Sequence, residues 1–508
     1  MIKGMTVGKV LLIGVVCALL YSACSSDFLN VKVQGQENTL VDPNLATKLV
    51  TGVYNTLLQG DSWGNGDVHG FAYISATDIM SDDADKGSFA ADQAPTAGDI
   101  DNFTLTSGNT FALSLWLGHY NSIGAANQAL AQLDLSKLDT ATKSQLKGEL
   151  RFLRGYLYFN LVRMFGDVPL PLRVPVNSAD AQSDSSFNYR SPKSKVYKSI
   201  VKDLEFAIIH LPKVPVSIDG RTGHASKGAA QAMLAKVYMY MEDWPNTLAM
   251  SNAVITSGLY SLLPDYAMLF RQAGANSIES IFEIQTGLFN HANLGVPNYT
   301  VSQGPRVGGL GGWDDLGWGF CDPTSSLVSA YESGDLRKAA TIIFIDNSGT
   351  HHGTFLWDGV RIPSSDSIQN LRYNYKAYTS LSEETHSPGS DKDRPKNIPI
   401  LRFAEVLLIN SEAAFHEGGD ALTPLNKVRL RAGLKPRVGV TIDSIWNERR
   451  VELAMEHDRF WDIVRQGRAA QIMQAHGKSF VAGKHELLPI PVTQIQLSGG
   501  KLTQNNGY

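Results

Sequence analysis

The sequence predicts a mostly α-helical protein whose helical body is interrupted by one long irregular insert carrying short strands. Two observations predict it. Apolar residues recur at spacings of three and four on both flanks of the chain, and between about 258 and 400 that period disappears. The helical core is assigned to about 40–257 and 398–475 and the irregular insert to about 258–397. Together they form a single domain over 24–508, after a leader of residues 1–23.

The leader comes first in chain order. Lys3 and Lys9 make a positive start, Val10 to Leu20 form an apolar run of eleven residues, and Ser22 and Ala23 are small residues suited to a cleavage point. Eleven residues span roughly 16 Å as a helix, too short for a hydrocarbon core of roughly 30 Å. The segment reads as a removable signal rather than a transmembrane span. Cys24 follows the small pair directly and precedes Ser25, Ser26 and Asp27, an arrangement that resembles a bacterial lipobox with Tyr21 where Leu is commonest. The resemblance implies that Cys24 becomes a lipidated N-terminus. Several acyl chains, at roughly 0.8 kcal/mol per buried CH₂, would anchor it stably.

The helical elements follow. Asp42-Pro43 is a helix start, a capping residue before a proline at the first helical position, and leads into Leu49, Val53 and Leu57. Trp116, Tyr120, Ile123, Asn127 and Leu130 make the next stripe, and Leu146, Leu150, Leu153, Leu157 and Leu161 another. Val196, Ile200, Leu204 and Ile208 continue the pattern, then Ala230, Leu234, Val237 and Met241. These stripes are core faces of packed helices, and Trp116, Trp244, Trp446 and Trp461 fall on such faces. Two stretches look like tetratricopeptide units. Leu234-Ala235, Tyr238 and Trp244 stand at that repeat's spacings, with Thr247 in place of its usual small residue, and a second helix pair spans Leu407 to Ala432. Stacked pairs of this kind bury one continuous core.

The insert reads differently. Gly304 to Gly319 holds seven glycines in sixteen residues, interleaved with Trp313 and Trp318 and followed by Phe320. Such a stretch cannot hold a helix, and its glycines let the backbone turn sharply around large rings. Segment 61–110 is similar, with Trp63, Gly64, Gly66 and Gly70 before Asp78, Asp82, Asp83, Asp85 and Gly87. Long irregular segments in folded proteins usually carry function.

Composition narrows the function classes. Without residues 1–23 the chain keeps 485 residues, and its net charge falls from −4 to about −6 with the loss of Lys3 and Lys9. No Lys/Arg stripe appears, which argues against nucleic acid as a partner. Cys17 leaves with the leader and Cys24 carries lipid, so Cys321 is alone and the mature chain has no internal disulfide. No His-Glu-x-x-His, Walker loop or paired Cys-x-x-Cys occurs. Asp314-Asp315 or Asp82-Asp83 would be the acids of a glycosidase, but adjacent residues point apart. Glu448, Glu452 and Glu456 recur at four on one helix face among Arg449, Arg459 and Arg465, which suits ion pairing better than acid catalysis. No cofactor is expected. A structural calcium at the 78–85 aspartates is the alternative, although Gly87 falls one place early for a calcium loop and no acid closes it.

Five stretches resemble the SusD/RagB family of outer-membrane nutrient-binding lipoproteins. They are 149–159 (ELRFLRGYLYF) with 163–170 (RMFGDVPL), 399–409 (PILRFAEVLLI) with Glu412-Ala413, 425–433 (LNKVRLRAG), 448–465 (ERRVELAMEHDRFWDIVR), and 488–491 (LPIP) with 504–508 (QNNGY). They spread over nearly the whole mature chain. His457 stands where the family usually has Gly, a departure expected to touch only local packing, and the last five residues read as a tail pinned to the body.

The resemblance implies a helical protein with tetratricopeptide-like pairs on one side and an irregular ligand face opposite. It implies surface exposure on a Gram-negative outer membrane, anchored by lipid, and partnership with a SusC-like TonB-dependent transporter. The expected activity is non-catalytic binding of an oligosaccharide or polysaccharide, with peptide capture or a surface glycosidase as alternatives. Sugar rings stack on indole and phenol faces, so Trp313 leads the candidate contacts, followed by Trp318, Phe320, Tyr299, Phe289 and Trp63, with Asp82 for ligand hydroxyls. Gly317-Trp318-Gly319 leading to Pro323-Thr324 also resembles a recurrent family stretch, which argues for a structural part for Trp318. Cys24→Ser should release the protein from membranes or trap its precursor in cell fractionation; unchanged processing and membrane association would refute the lipid anchor.

Overall fold

The computed structural model describes residues 44–60, 66–214, 222–286, 298–306, 316–345, 353–363, 368, 370–385 and 395–508. Helix α1 (Leu45–Thr56) packs on two long helices, α2 (Thr110–Leu135) and α3 (Thr140–Phe165). The Asp42-Pro43 start lies outside the described residues. Asn109 caps α2 by accepting from Phe111 and Ala112 N–H groups, and Asp139 caps α3 by accepting from Thr142. The leucine stripe of α3 is buried along its whole length. α4 (Lys193–His210) lies on α3 and on α5 (Lys227–Tyr240), which pairs with α6 (Trp244–Thr256).

After α6 the chain leaves the helical body, and it returns at α7 (Phe403–His416), which packs directly on α6 and pairs with α8 (Leu422–Arg431). Asn410 Nδ2 donates to Ser251 Oγ at 3.0 Å and to Asn252 Oδ1 at 2.9 Å, and Trp244 stacks on His416 with ring centroids 4.0 Å apart. The two repeat-like pairs therefore stack as expected despite the insert between them. Thr247, the degenerate position, is buried and satisfies its hydroxyl on the Asp243 carbonyl at 2.8 Å. No helix of the described residues is long and apolar enough to cross a membrane.

The strands form antiparallel pairs: β1 (Ala84–Gly87) with β3 (Phe320–Pro323), β2 (Ser280–Ile284) with β8 (Ile398–Arg402), β4 (Ile342–Phe344) with β7 (Arg372–Asn374), and β5 (Thr354–Phe355) with β6 (Arg361–Ile362). The first pair joins segment 61–110 to the end of the glycine-rich stretch. There the chain crosses itself, and a Cβ on Gly317 would lie 2.4 Å from the Gly304 Cα, so only glycine fits. The main apolar core runs from Ala46 to Leu502 and draws on both helical flanks. A second, smaller core, with Ile343, Leu356, Ile362, Tyr373 and Tyr378, supports the insert.

Charged groups are buried between α9 (Ile442–Leu453), α10 (Arg459–Arg465), β8 and the insert. Arg337 Nη1 reaches Glu448 at 2.7 Å and Glu452 at 2.9 Å, and Arg402 reaches Glu279 at 3.0 Å and Glu456 at 2.7 Å as well as Glu452. Arg431 joins Glu279 and Glu452, and Lys376 joins Glu456 at 2.6 Å. A second cluster follows, in which Arg449 spans Glu405 and Asp462 while Arg163 meets Asp458. α9 ends at Leu453, so Glu456 does not share its helix face as the spacing implied. The chain turns there through Met455 (φ 63°) and His457 (φ 71°) and still delivers Glu456 to the same network.

That left-handed backbone explains a glycine at position 457, and His457 does more than pack locally. Its Nδ1 meets Asp78 Oδ2 at 2.7 Å, linking α10's entry to segment 61–110. The tail is pinned as expected: Gln504 brackets the Ile490 backbone, and Asn505 Nδ2 donates to the Phe165 and Leu488 carbonyls.

Burial alone would raise the Glu452 pKa, but Arg431, Arg402 and Arg337 together hold it well below the usual carboxylate range. Arg402 and Lys376 likewise overcome burial at Glu456. A depressed folded-state pKa contributes stability that is present above the unfolded value, near 4.5, and is lost as pH falls. Glu452→Gln leaves three arginines short of a counter-charge and should cost about 3–5 kcal/mol at neutral pH. Its melting temperature should also decline less steeply on acidification. Melting curves matching wild type would contradict the role assigned to the network.

Candidate ligand-binding face

The residues singled out in the sequence divide into three groups. Cys24, Trp63, Phe289 and Trp313 lie outside the described residues, as does Asp314-Asp315. Phe320 is corrected, since at 1% exposure it displays no ring to solvent, and Tyr299, at 5%, shows itself only in the wall of the cavity described below. Phe320 opens β3 and packs 4.4 Å from Phe71, and Tyr299 sets its edge against His457 at 5.3 Å. Trp318 is partly buried against the main core, with its N–H on the Val301 carbonyl at 2.7 Å. The cause is the β1–β3 pairing, which turns one edge of the glycine-rich stretch into a buried seam.

Asp82 is also corrected. Arg459 Nε holds it at 2.8 Å and Arg450 Nη2 at 2.8 Å, and these cations outweigh the burial that would raise its pKa. Asp83 pairs with Arg450, Asp78 with His457, and Asp85 with Lys478 at 2.8 Å. The oxygens considered for calcium thus face protein cations, and no group of three or more His, Cys, Asp or Glu gathers for a metal among the described residues. Cys321 is buried, and burial pushes its thiol well above the ordinary value. Asp322 rises to about 7, chiefly from burial and despite Arg372, opposite Asp85 in the β1–β3 ladder.

The insert does display other rings. β5 and β6 are joined by Trp357-Asp358-Gly359, with Gly359 at φ 80° and its N–H on the Leu356 carbonyl at 3.0 Å. This is the three-residue hairpin loop that needs a left-handed third position. The hairpin presents Phe355 at 68% exposure and Trp357 at 43%. Its tip is held firmly. The Trp357 N–H donates to Tyr375 Oη at 2.7 Å, and Tyr378 Oη donates to Asp358 Oδ2 at 2.6 Å. The Asp-Gly pair between β-prone residues was the available sequence signal for this hairpin, and the loss of helical period alone did not reveal it.

Behind Trp357 lies a cavity of about 310 Å³, lined by Arg271, Asn276, Glu283, Gln285, Lys396 and Asn397 among others, with Tyr299 and Lys376 deeper in its wall. The Arg271 guanidinium sits between two rings, 4.8 Å from the Trp357 centroid and 4.8 Å from that of Tyr375. It therefore forms the common wall of the aromatic tip and the cavity. Glu283 accepts from the Asn276 N–H at 3.1 Å and from Asn397 Nδ2 at 2.8 Å, which fixes the polar lining. A concave site with convergent amides, charged groups and an adjoining ring suits a polar small ligand.

Comparison with known proteins follows the same division of the chain. Residues 27–239 match a family model described as starch-binding associating with outer membrane, and residues 278–508 match the model of the SusD family. SusD-like protein P2 of Formosa agariphila is 26% identical over 434 residues, covering 81% of this chain and 83% of that protein. A solved laminarin binding SusD-like protein superposes with a TM-score of 0.75 at 28% identity, covering 92% of this chain and 99% of its own. Surface glycan-binding protein A from Bacteroides fluxus superposes with a TM-score of 0.75 at 25% identity, covering 92% and 100%. With the helical body, the insert and the matches on both flanks in agreement, the chain belongs to the SusD/RagB family.

Proposed function

We propose that this protein captures an extracellular saccharide without chemical turnover and hands it to a SusC-like TonB-dependent transporter, while Cys24 holds it by lipid to the outer membrane, facing the exterior. The observation that carries the reading is the hairpin tip, where Trp357 and Phe355 are displayed on a braced turn beside a polar cavity. Burying those rings would have been favourable, by about 1.5–3 kcal/mol for a large apolar side chain. Their display suits stacking against sugar C–H faces.

The laminarin binding relative and the glycan-binding protein A of Bacteroides fluxus support a saccharide over a peptide. The pairing of Asp82 and Asp83 with arginines supports binding over hydrolysis, since an ion-paired carboxylate is a poor general acid. Trp313 and Trp63 remain proposed contacts.

Calorimetric titration against a panel of neutral oligosaccharides and peptides tests the proposal. At least one saccharide should bind and emerge unchanged, and Trp357→Ala should weaken it by about 1–3 kcal/mol with no change in melting temperature. Trp313→Ala should give a loss of similar size. Peptide binding without saccharide binding, or release of shortened saccharide, would overturn the reading.

A further inference from the structure

The cavity behind Trp357 contains two buried cations with no carboxylate in ion-pair distance among the described residues, Glu384 acting on both from further off. Arg271 is 8% exposed, and among the described residues no carboxylate lies within ion-pair distance of it. Its Nη1 is buried with no hydrogen-bond partner. The Trp357 and Tyr375 ring centroids lie 4.8 Å from its guanidinium carbon and the Tyr375 hydroxyl shares a hydrogen bond with it, which still leaves Nη1 to be satisfied by something else. Lys396 is 6% exposed, and its Nζ donates to the Tyr378 carbonyl, again with no carboxylate in ion-pair distance among the described residues.

Arginines buried elsewhere in the molecule behave differently. Arg337, Arg402, Arg449 and Arg465 each hold two or more carboxylates. A buried guanidinium left without an anion is costly, because its donors have given up water for nothing of equal strength.

We propose that this cavity receives the anionic substituent, a carboxylate or a sulfate ester, of an acidic saccharide, with Arg271 as its principal donor and Lys396 as the second cation. The inference rests on the saccharide-binding reading above and narrows it to a charge class. A guanidinium held beside two rings with Nη1 unpaired offers a donor to a planar or tetrahedral oxyanion, the geometry that arginine serves best. The sugar carrying that group would extend over the exposed face of Trp357, since Arg271 is the shared wall. The cavity, about 310 Å³, is at the small end of the range for ligand pockets and admits a substituent or a single ring rather than a chain. Asn276, Gln285 and Asn397 supply neutral partners for adjoining hydroxyls.

Burial pulls the Lys396 pKa down to about 7, Glu384 opposes that fall, and Arg271 adds to it. Glu384 is itself occupied by the Gln272 and Ser380 N–H groups, at 2.7 Å and 2.8 Å. Glu283, the other acid on the cavity wall, is held by Asn276 and Asn397. Arrival of an oxyanion would favour the charged ammonium, so binding near pH 8 should draw a proton from solvent. Affinity for the acidic ligand should rise as pH falls from about 8 to about 6.

The test uses calorimetric titration of the mature protein with a uronate-containing oligosaccharide, a sulfated oligosaccharide, their neutral counterpart and inorganic sulfate. One of the two acidic sugars should bind at least about tenfold more tightly than the neutral one, and which of them does so identifies the anion. Arg271→Gln should abolish that preference, and Lys396→Met should reduce it. Melting temperatures matching wild type show that the variants are folded. Independently of any variant, titration of wild type near pH 8 in two buffers of different ionisation heat should reveal proton uptake with the acidic ligand and none with the neutral one.

Equal or weaker binding of both acidic sugars relative to the neutral one overturns this inference and leaves the saccharide reading standing. Retention of the preference in Arg271→Gln overturns it as well. Binding of inorganic sulfate with no saccharide of any kind overturns both.

Discussion

The structure depends on the buried charge network at the end of α9. Glu452, with no exposed surface, faces Arg337, Arg402 and Arg431, and through them reaches Glu448, Glu279 and Glu456. Its members come from α8, α9, β8, the turn just before β2 and the rest of the insert, so a single cluster of charges ties the returning helices to the irregular part. Breaking a buried ion pair is far costlier than the pair is stabilising, because the remaining partner is left charged and dry. The network therefore works as a constraint on register more than as a source of stability. Each charge is tolerable only if all the elements meet in one arrangement.

That constraint separates what is fixed from what can vary. The stretches resembling the SusD/RagB family supply Arg402, Glu405, Arg429, Arg431, Glu448, Glu452 and Glu456, all members of the charge clusters. The proposed ligand face takes its displayed rings from elsewhere, and its cavity meets the network only at Lys376 and Glu456. The hairpin tip rests on the small insert core and on two tyrosine hydroxyls, and none of its displayed rings belongs to the network. A scaffold held by charges at its centre can accept new rings and cavity groups at its edge without losing its register. Arg271 stands at the border, buried like the network arginines but with no carboxylate in ion-pair distance among the described residues and with Nη1 unpaired.

Much of this was legible in the sequence, for physical reasons that differ by residue. The leucine stripe of α3 and the repeat-like spacing around Trp244 report local periodicity, which a helix must obey whatever surrounds it. The assignment of Glu448 and Glu452 to ion pairing followed from the density of arginine around them. The failures have a common origin. Phe320 and Tyr299 sit in irregular backbone, where exposure depends on a distant partner, and β1 from segment 61–110 supplies it. Asp82 reads as a contact for ligand hydroxyls because its partners Arg450 and Arg459 are far away in sequence. Glu456 fell out of helical register because Met455 and His457 adopt left-handed backbone, which spacing alone cannot signal. The hairpin at Trp357 was marked by Asp358-Gly359 but sat inside a stretch read only as aperiodic.

The central claim is that one buried network makes the two helical flanks and the insert a single cooperative body. Scanning calorimetry of the mature protein at neutral pH tests it most directly. One endotherm, with a calorimetric enthalpy equal to the van't Hoff enthalpy, is the predicted result. Two separable transitions, with the insert melting before the helices or one flank before the other, would contradict it.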